Sequence, residues 1–205
     1  MNSIEIENGI IHLSSNDVRL KKIILSSSKC DLAPGKNYYN TLLRAIIGQQ
    51  LSTHAAKTIY ERFIKFFYYK PEPEKILNTA DNELRRLGLS NAKTRYIKDL
   101  SDKLLRKEVS LKNINRKNDL EIITELTKVK GIGEWTVHMF LIFTLARPNV
   151  LPVKDLGLRR AVKNVYRLRK LPDEEKVLKI SKQYNWSPYN SIASWYLWKS
   201  LEVRG

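Results

Sequence analysis

The chain is nearly devoid of cysteine. One residue, Cys30, among 205 excludes an intramolecular disulfide and any zinc or iron–sulfur site drawing four cysteines from this chain. A buried bystander is its expected role. Histidine is almost as scarce: His12, His54 and His138 lie far apart, with no carboxylates at metal-ligand spacing, so a catalytic transition metal is not expected. No apolar run approaches the roughly 20 residues that span a bilayer. The first residues, Met1-Asn2-Ser3-Ile4-Glu5-Ile6-Glu7, place acids where a secretory signal carries its basic region. An intracellular protein without a membrane partner is therefore expected, in cytoplasm and nucleoid, or in a nucleus if the source is eukaryotic. Repeats, low-complexity tracts and flexible linkers are also missing.

What is present is positive charge. Lys and Arg number 37 against 21 acids, a net charge of +16, which favours a polyanionic partner such as nucleic acid. Apolar residues at 42% suffice for a core, either in one compact domain or in two small lobes sharing a cleft.

Hydrophobic periodicity organises the rest. Ile4, Ile6, Ile10 and Leu13 alternate with polar neighbours, which predicts a short extended or strand-like arm over residues 1 to about 16. From Asn37 the helical period dominates. Leu42, Leu43, Ile46 and Ile47 form one apolar face; Ala55, Ile59, Phe63 and Phe67 form another after a Ser52 cap, with Gly48-Gln49-Gln50-Leu51 between the two helices. Pro71 and Pro73 interrupt this pattern. A shorter helix ends at Gly88, Ser90 starts the next, and an apolar helix with Trp135, Met139, Phe140 and Phe143 is expected at the centre of the fold. Asp155 opens a further helix, and two more close the chain. The whole reads as all-α, with roughly ten helices.

One segment has chemical promise: Leu126-Thr127-Lys128-Val129-Lys130-Gly131-Ile132-Gly133-Glu134-Trp135-Thr136. Two alternate glycines between helices describe a hairpin whose amides can approach a phosphate. A dinucleotide fingerprint would need a glycine at Thr136, and the phosphate-loop ending is missing, so nucleotide cofactors are set aside. Lys154, Arg159, Arg160, Lys163, Arg167, Arg169 and Lys170 form a basic run around and beyond an isolated acid, Asp155.

The ordered set formed by Leu42 to Ser52, Gly88-Leu89-Ser90, the hairpin, and Lys154-Asp155-Leu156-Gly157 resembles the helix-hairpin-helix DNA glycosylase superfamily, specifically its 3-methyladenine DNA glycosylase II (alkylated-purine) branch. The likeness covers about residues 37 to 201. It implies two helical lobes with a DNA-binding cleft between them, a core over 37–205 with its hairpin at 127–133, and residues 1–36 as an arm packed on the helical body, in place of the N-terminal sheet domain of longer relatives. By the same resemblance Asp155 is the catalytic carboxylate, and Lys130, Gly131, Ile132 and Gly133 bind a phosphate. Trp135 and Trp198 face the base pocket, with Tyr38 and Tyr39 as weaker candidates. Gln50 or Leu51 is the wedge that fills the gap left by an extruded base. The backbone carbonyls of Thr127, Val129 and Ile132 would hold a structural Na+ or K+, and no catalytic cofactor is implied. Lys130 stands where relatives usually carry proline, and Asn190 where they usually carry arginine.

The chemistry has its own logic. Breaking an N-glycosidic bond leaves positive charge on the sugar, which an ionised carboxylate stabilises; the positive end of a helix dipole at Asp155 is expected to keep it anionic. Alkylated purines such as 3-methyladenine are cationic, hence good leaving groups and good partners for aromatic faces. Strand-cutting glycosylases place a Schiff-base lysine just after the hairpin; here that position is Trp135, so no lyase activity is expected. The expected partner is duplex DNA with a damaged base, and the expected state is a monomer. Two alternatives stay open: a glycosylase for another damaged or mispaired base, or a non-catalytic helix-hairpin-helix DNA-binding module.

Overall fold

A computed structural model describes residues 1–202. Among these are twelve α-helices, a short 3₁₀ turn at Ile114–Arg116 and no strand. The chain divides into two compact units, one of residues 36–140 and one joining residues 1–35 to the chain from Leu141 onward. The last three residues of the expected 37–205 core lie outside the described residues.

The N-terminal arm is helical, which corrects the extended reading. Helix α1 (Ser3–Asn16) starts with a reciprocal cap: the Asn2 side chain accepts the Glu5 amide at 2.9 Å, and the Glu5 carboxylate accepts the Asn2 amide at 2.7 Å. Its buried stripe is Ile6, Gly9 and Leu13, a helical spacing disguised in the sequence because its middle member is a glycine. That glycine has a packing reason. A Cβ there would lie 2.4 Å from Ile192 Cδ1, so helix α12 (Asn190–Glu202) can approach only a bare backbone. Asp17 caps helix α2 (Val18–Ser26). Helices α10 (Leu156–Val165) and α11 (Glu174–Gln183) complete this unit. Helix α12 is buried continuously from Asn190 to Leu197 and packs on α1, α2 and α10. Asn190, standing in the arginine position, donates to Asn149 Oδ1 at 2.6 Å and accepts the Ser181 hydroxyl at 2.8 Å. The single thiol, Cys30, is buried here, and desolvation pushes its pKa up to about 11.

The other unit follows the sequence reading closely. Helix α3 (Tyr38–Gly48) buries Leu42, Leu43, Ile46 and Ile47. Ser52 caps α4 (Thr53–Phe66), Gly88 takes φ +105° beyond α6 (Asp81–Arg86), and Ser90 caps α7 (Asn91–Leu105). The reading missed α5 (Pro73–Asn78), a short helix that Pro73 opens; proline fits a first turn, where its absent N–H is not needed. Helix α8 (Asp119–Leu126) starts with an Asn118–Glu121 capping box, and α9 (Glu134–Phe143) leaves the hairpin with Val137, Phe140, Leu141 and Ile142 buried. Helix α7 packs on α3, α5 and α6 and, by the side chains below, supports both the hairpin and the turn between α3 and α4.

Candidate functional site

The hairpin is built by its own peptide groups and by α7. The Ile132 amide donates to the Val129 carbonyl at 3.0 Å, closing the turn. The Lys130 amide donates to Asp99 Oδ2 on α7 at 2.8 Å. Gly131 sits at φ +81°, and a Cβ there would lie 2.2 Å from the Tyr96 ring, so conformation and packing both demand glycine. Gly133 is different: nothing lies within 4 Å of the Cβ position, which leaves its backbone approachable.

The amides of the expected phosphate set divide. The amides of Lys130 and Ile132 are donated inside the protein, and the Ile132 side chain is buried in the core. The Gly131 and Gly133 amides meet no acceptor among the described residues. Lys130 offers its ammonium instead, 73% exposed and 3.8 Å from Asp99 Oδ1.

The turn between α3 and α4 is bound to the same framework. Gln50 takes φ +56° and is exposed, as is Leu51. Beneath them the Gln49 amide nitrogen donates to the Gly131 carbonyl at 2.7 Å, and the Lys93 ammonium of α7 donates to the Ile47 carbonyl at 2.8 Å. Burial lowers the pKa of that lysine. The structure thus brings the expected wedge and hairpin together through Gln49, which sequence reasoning passed over. Its only sequence signal was its place beside the wedge.

In the other unit Asp155 is the N-cap of α10. Its Oδ1 accepts the Leu158 amide at 2.6 Å and the Trp198 indole N–H at 2.9 Å, which fixes a half-buried carboxylate in one orientation. Gly157 makes this pairing fit, since a Cβ there would lie 3.1 Å from Asp155 Oδ1 and 3.5 Å from the Trp198 ring. Trp198 also stacks on Phe143, with centroids 5.5 Å apart and planes at 29°. Phe143, 49% exposed, is a second functional candidate that the sequence reading assigned to the core. Of the basic run, Arg159 is taken up structurally, donating to the Pro172 carbonyl at 2.6 Å.

The remaining expected pocket residues divide. Trp135, in the first turn of α9, is 44% exposed. Tyr38 is half-buried, edge-on to Phe140 with centroids 5.9 Å apart. Tyr39 has its hydroxyl engaged: it shares a hydrogen bond of 2.7 Å with Ser101 on α7, and burial pushes its pKa far up despite that bond. Tyr39 therefore ties α3 to α7.

No group of three or more His, Cys, Asp or Glu able to hold a metal occurs among the described residues. No helix among them is long and apolar enough to cross a membrane.

A profile of HhH-GPD superfamily base excision DNA repair proteins matches residues 43–185. DNA-3-methyladenine glycosylase 1 of Schizosaccharomyces pombe is 36% identical over 199 residues, covering 94% of this chain and 86% of its own. A Bacillus subtilis protein named as a putative DNA-3-methyladenine glycosylase, YfjP, is 38% identical over 171 residues, covering 80% of this chain and 59% of its own. Among solved structures, the S. pombe 3-methyladenine DNA glycosylase Mag1 in complex with abasic DNA is similar with a TM-score of 0.84 and 33% identity, over 95% of this chain and 97% of that one. The all-α architecture is shared along nearly the full length, and the profile runs from the α3 core past the hairpin and the Asp155 cap. The chain belongs to the HhH-GPD superfamily of base excision DNA repair proteins.

Proposed function

We propose that the protein is a monofunctional DNA glycosylase, acting as a monomer, that extrudes an alkylated purine of the 3-methyladenine kind from duplex DNA and removes it by hydrolysis in base excision repair. The observation that carries this reading is Asp155, whose Oδ1 is held by a backbone amide and an indole N–H. A carboxylate fixed in advance needs no reorganisation when positive charge develops on the deoxyribose. The relatives' names supply the substrate class, and a cationic purine, already a good leaving group, asks little of a general acid.

The other candidate residues have parts of their own. The Gly131 and Gly133 amides and the Lys130 ammonium take a phosphate. Gln50 and Leu51 enter the base stack, and beside Asp155 the Phe143–Trp198 stack offers an aromatic face to the base; in the other unit Trp135 and Tyr38 are the aromatic candidates. With Trp135 in the lyase-lysine position, water completes the reaction and the strand stays intact. The carbonyls of Thr127, Val129 and Ile132 suit a hard monovalent cation. Val129, which accepts one N–H, keeps a second lone pair. A Na+ or K+ there would add positive charge beside the phosphate.

The test is single-turnover base release from duplexes carrying one alkylated purine. Asparagine can cap a helix as aspartate does, so Asp155→Asn keeps the fold while the rate falls by about 10²–10³-fold. Unchanged release with DNA binding retained would overturn the reading, as would strand breakage by the wild type without alkali or heat.

A further inference from the structure

Resting on that reading, we infer that Gln49 is a positioning residue that holds the intercalating turn and the phosphate hairpin in fixed register, so that gripping the backbone and extruding the base become one coupled event. Gln49 ends α3, its amide N–H bonded back to the Ile46 carbonyl at 3.3 Å, and directly precedes Gln50 and Leu51. Its side chain reaches across to the Gly131 carbonyl at 2.7 Å. The acceptor is a carbonyl, so the amide nitrogen must face it. No acid, and no apolar residue of that length, can replace the bond at neutral pH.

The bond lands on a peptide group already fixed at its other end. The unit joining Gly131 to Ile132 gives its N–H to Val129 and receives Gln49 on its oxygen. Lys130 N–H is held by Asp99, and Tyr96 lies against Gly131. The hairpin is thus rigid on α7, which also anchors the base of the wedge turn through Lys93 and the Ile47 carbonyl. Gln49 is the direct strut between these two loops. Gln50 keeps a left-handed backbone despite its side chain, a strained state that persists where neighbours determine it. Without the strut, the hairpin still meets a phosphate through Gly131 and Gly133. The wedge, however, no longer enters the stack at a fixed offset from that anchor.

The separable readouts are binding, extrusion and chemistry. Gln49→Met keeps length and removes the donor. We expect its affinity for a duplex with a stable abasic analogue to change less than about threefold. Single-turnover base release should fall about 10–100-fold, the scale of a misplacement of about 1 Å, with a parallel loss of fluorescence from a 2-aminopurine beside the lesion, which reports unstacking. In a wedge-less background, Gln50→Gly with Leu51→Ala, the same substitution should cost less than about twofold, since the strut then positions nothing. Gln49→Glu supplies a rescue: its carboxylate repels the Gly131 carbonyl at pH 7.5, whereas its protonated form donates again, so its rate relative to Gln49→Met should rise about tenfold towards pH 5. Wild-type-like release by Gln49→Met, an equal loss in the wedge-less background, or a flat pH ratio would each overturn the inference. Should Gln49→Met not fold, the Gln49→Glu rate relative to wild type over the same pH range decides alone: it should rise towards pH 5, and a flat ratio overturns the inference. Absence of base release by the wild type would instead overturn the glycosylase reading.

Discussion

Two aspartates in one unit make the same local structure in different surroundings. Asp17 and Asp155 each cap a helix through the side chain, and each accepts an indole N–H, from Trp186 and Trp198 respectively. Asp17 is 0% exposed. It receives the Arg19 and Leu20 amides, the Trp186 indole and the Tyr166 hydroxyl. Burial, and then the adjacent carboxylate, push the Tyr166 phenol far above its ordinary pKa. Asp155 shares the cap and the indole but is only half-buried, beside an aromatic stack whose Phe143 is exposed. A cap with a tryptophan partner is therefore no mark of function in itself; what sets Asp155 apart is access. Gly131 and Gly133 repeat the lesson in the other unit, one required by φ and Tyr96, the other facing open space.

The aspartate pair gives the sharpest contrast. Asp17→Ala strands four donors, three of them buried, and should cost about 3–5 kcal/mol of stability, whereas Asp155→Ala should cost about 1 kcal/mol, the value of a cap; urea unfolding measures both, and equal losses would erase the distinction. The glycines come next. Gly131→Ala must adopt a left-handed backbone and displace Tyr96, a loss of about 2 kcal/mol or more. Gly133→Ala should unfold within about 0.5 kcal/mol of wild type yet bind abasic DNA about tenfold more weakly, seen by fluorescence anisotropy, because its methyl group meets the phosphate. The smallest effect is expected of Trp198→Phe, which keeps the stack on Phe143 and removes the N–H. Stability should stay within about 1 kcal/mol while base release slows about tenfold. No change in rate would mean that the Leu158 amide suffices to aim the carboxylate.

Sequence periodicity exposed most of the helices because their buried faces are written in Leu, Ile and Phe, as in α3. It failed at α1, whose buried stripe runs through Gly9, and at α5, where proline read as a break although it begins a helix. The hairpin and Asp155 were legible because they are local: glycines in alternate positions, a carboxylate at a helix start. Gln49, Asp99, Tyr96 and Phe143 were not, because their meaning lies in partners from 31 to 82 residues away or in exposure that composition does not carry. Tyr39 shows the same limit, since nothing near it in the sequence announces its bond to Ser101.

Cys30 has a practical consequence. The chain's single thiol is covered, and its raised pKa leaves it almost wholly protonated near neutrality, so thiol-directed dyes will pass it by. A cysteine placed at an exposed position such as Tyr68 or Leu120 would then be the one that takes the label, with no background to engineer away. The native molecule is in effect already prepared for single-molecule tracking along DNA.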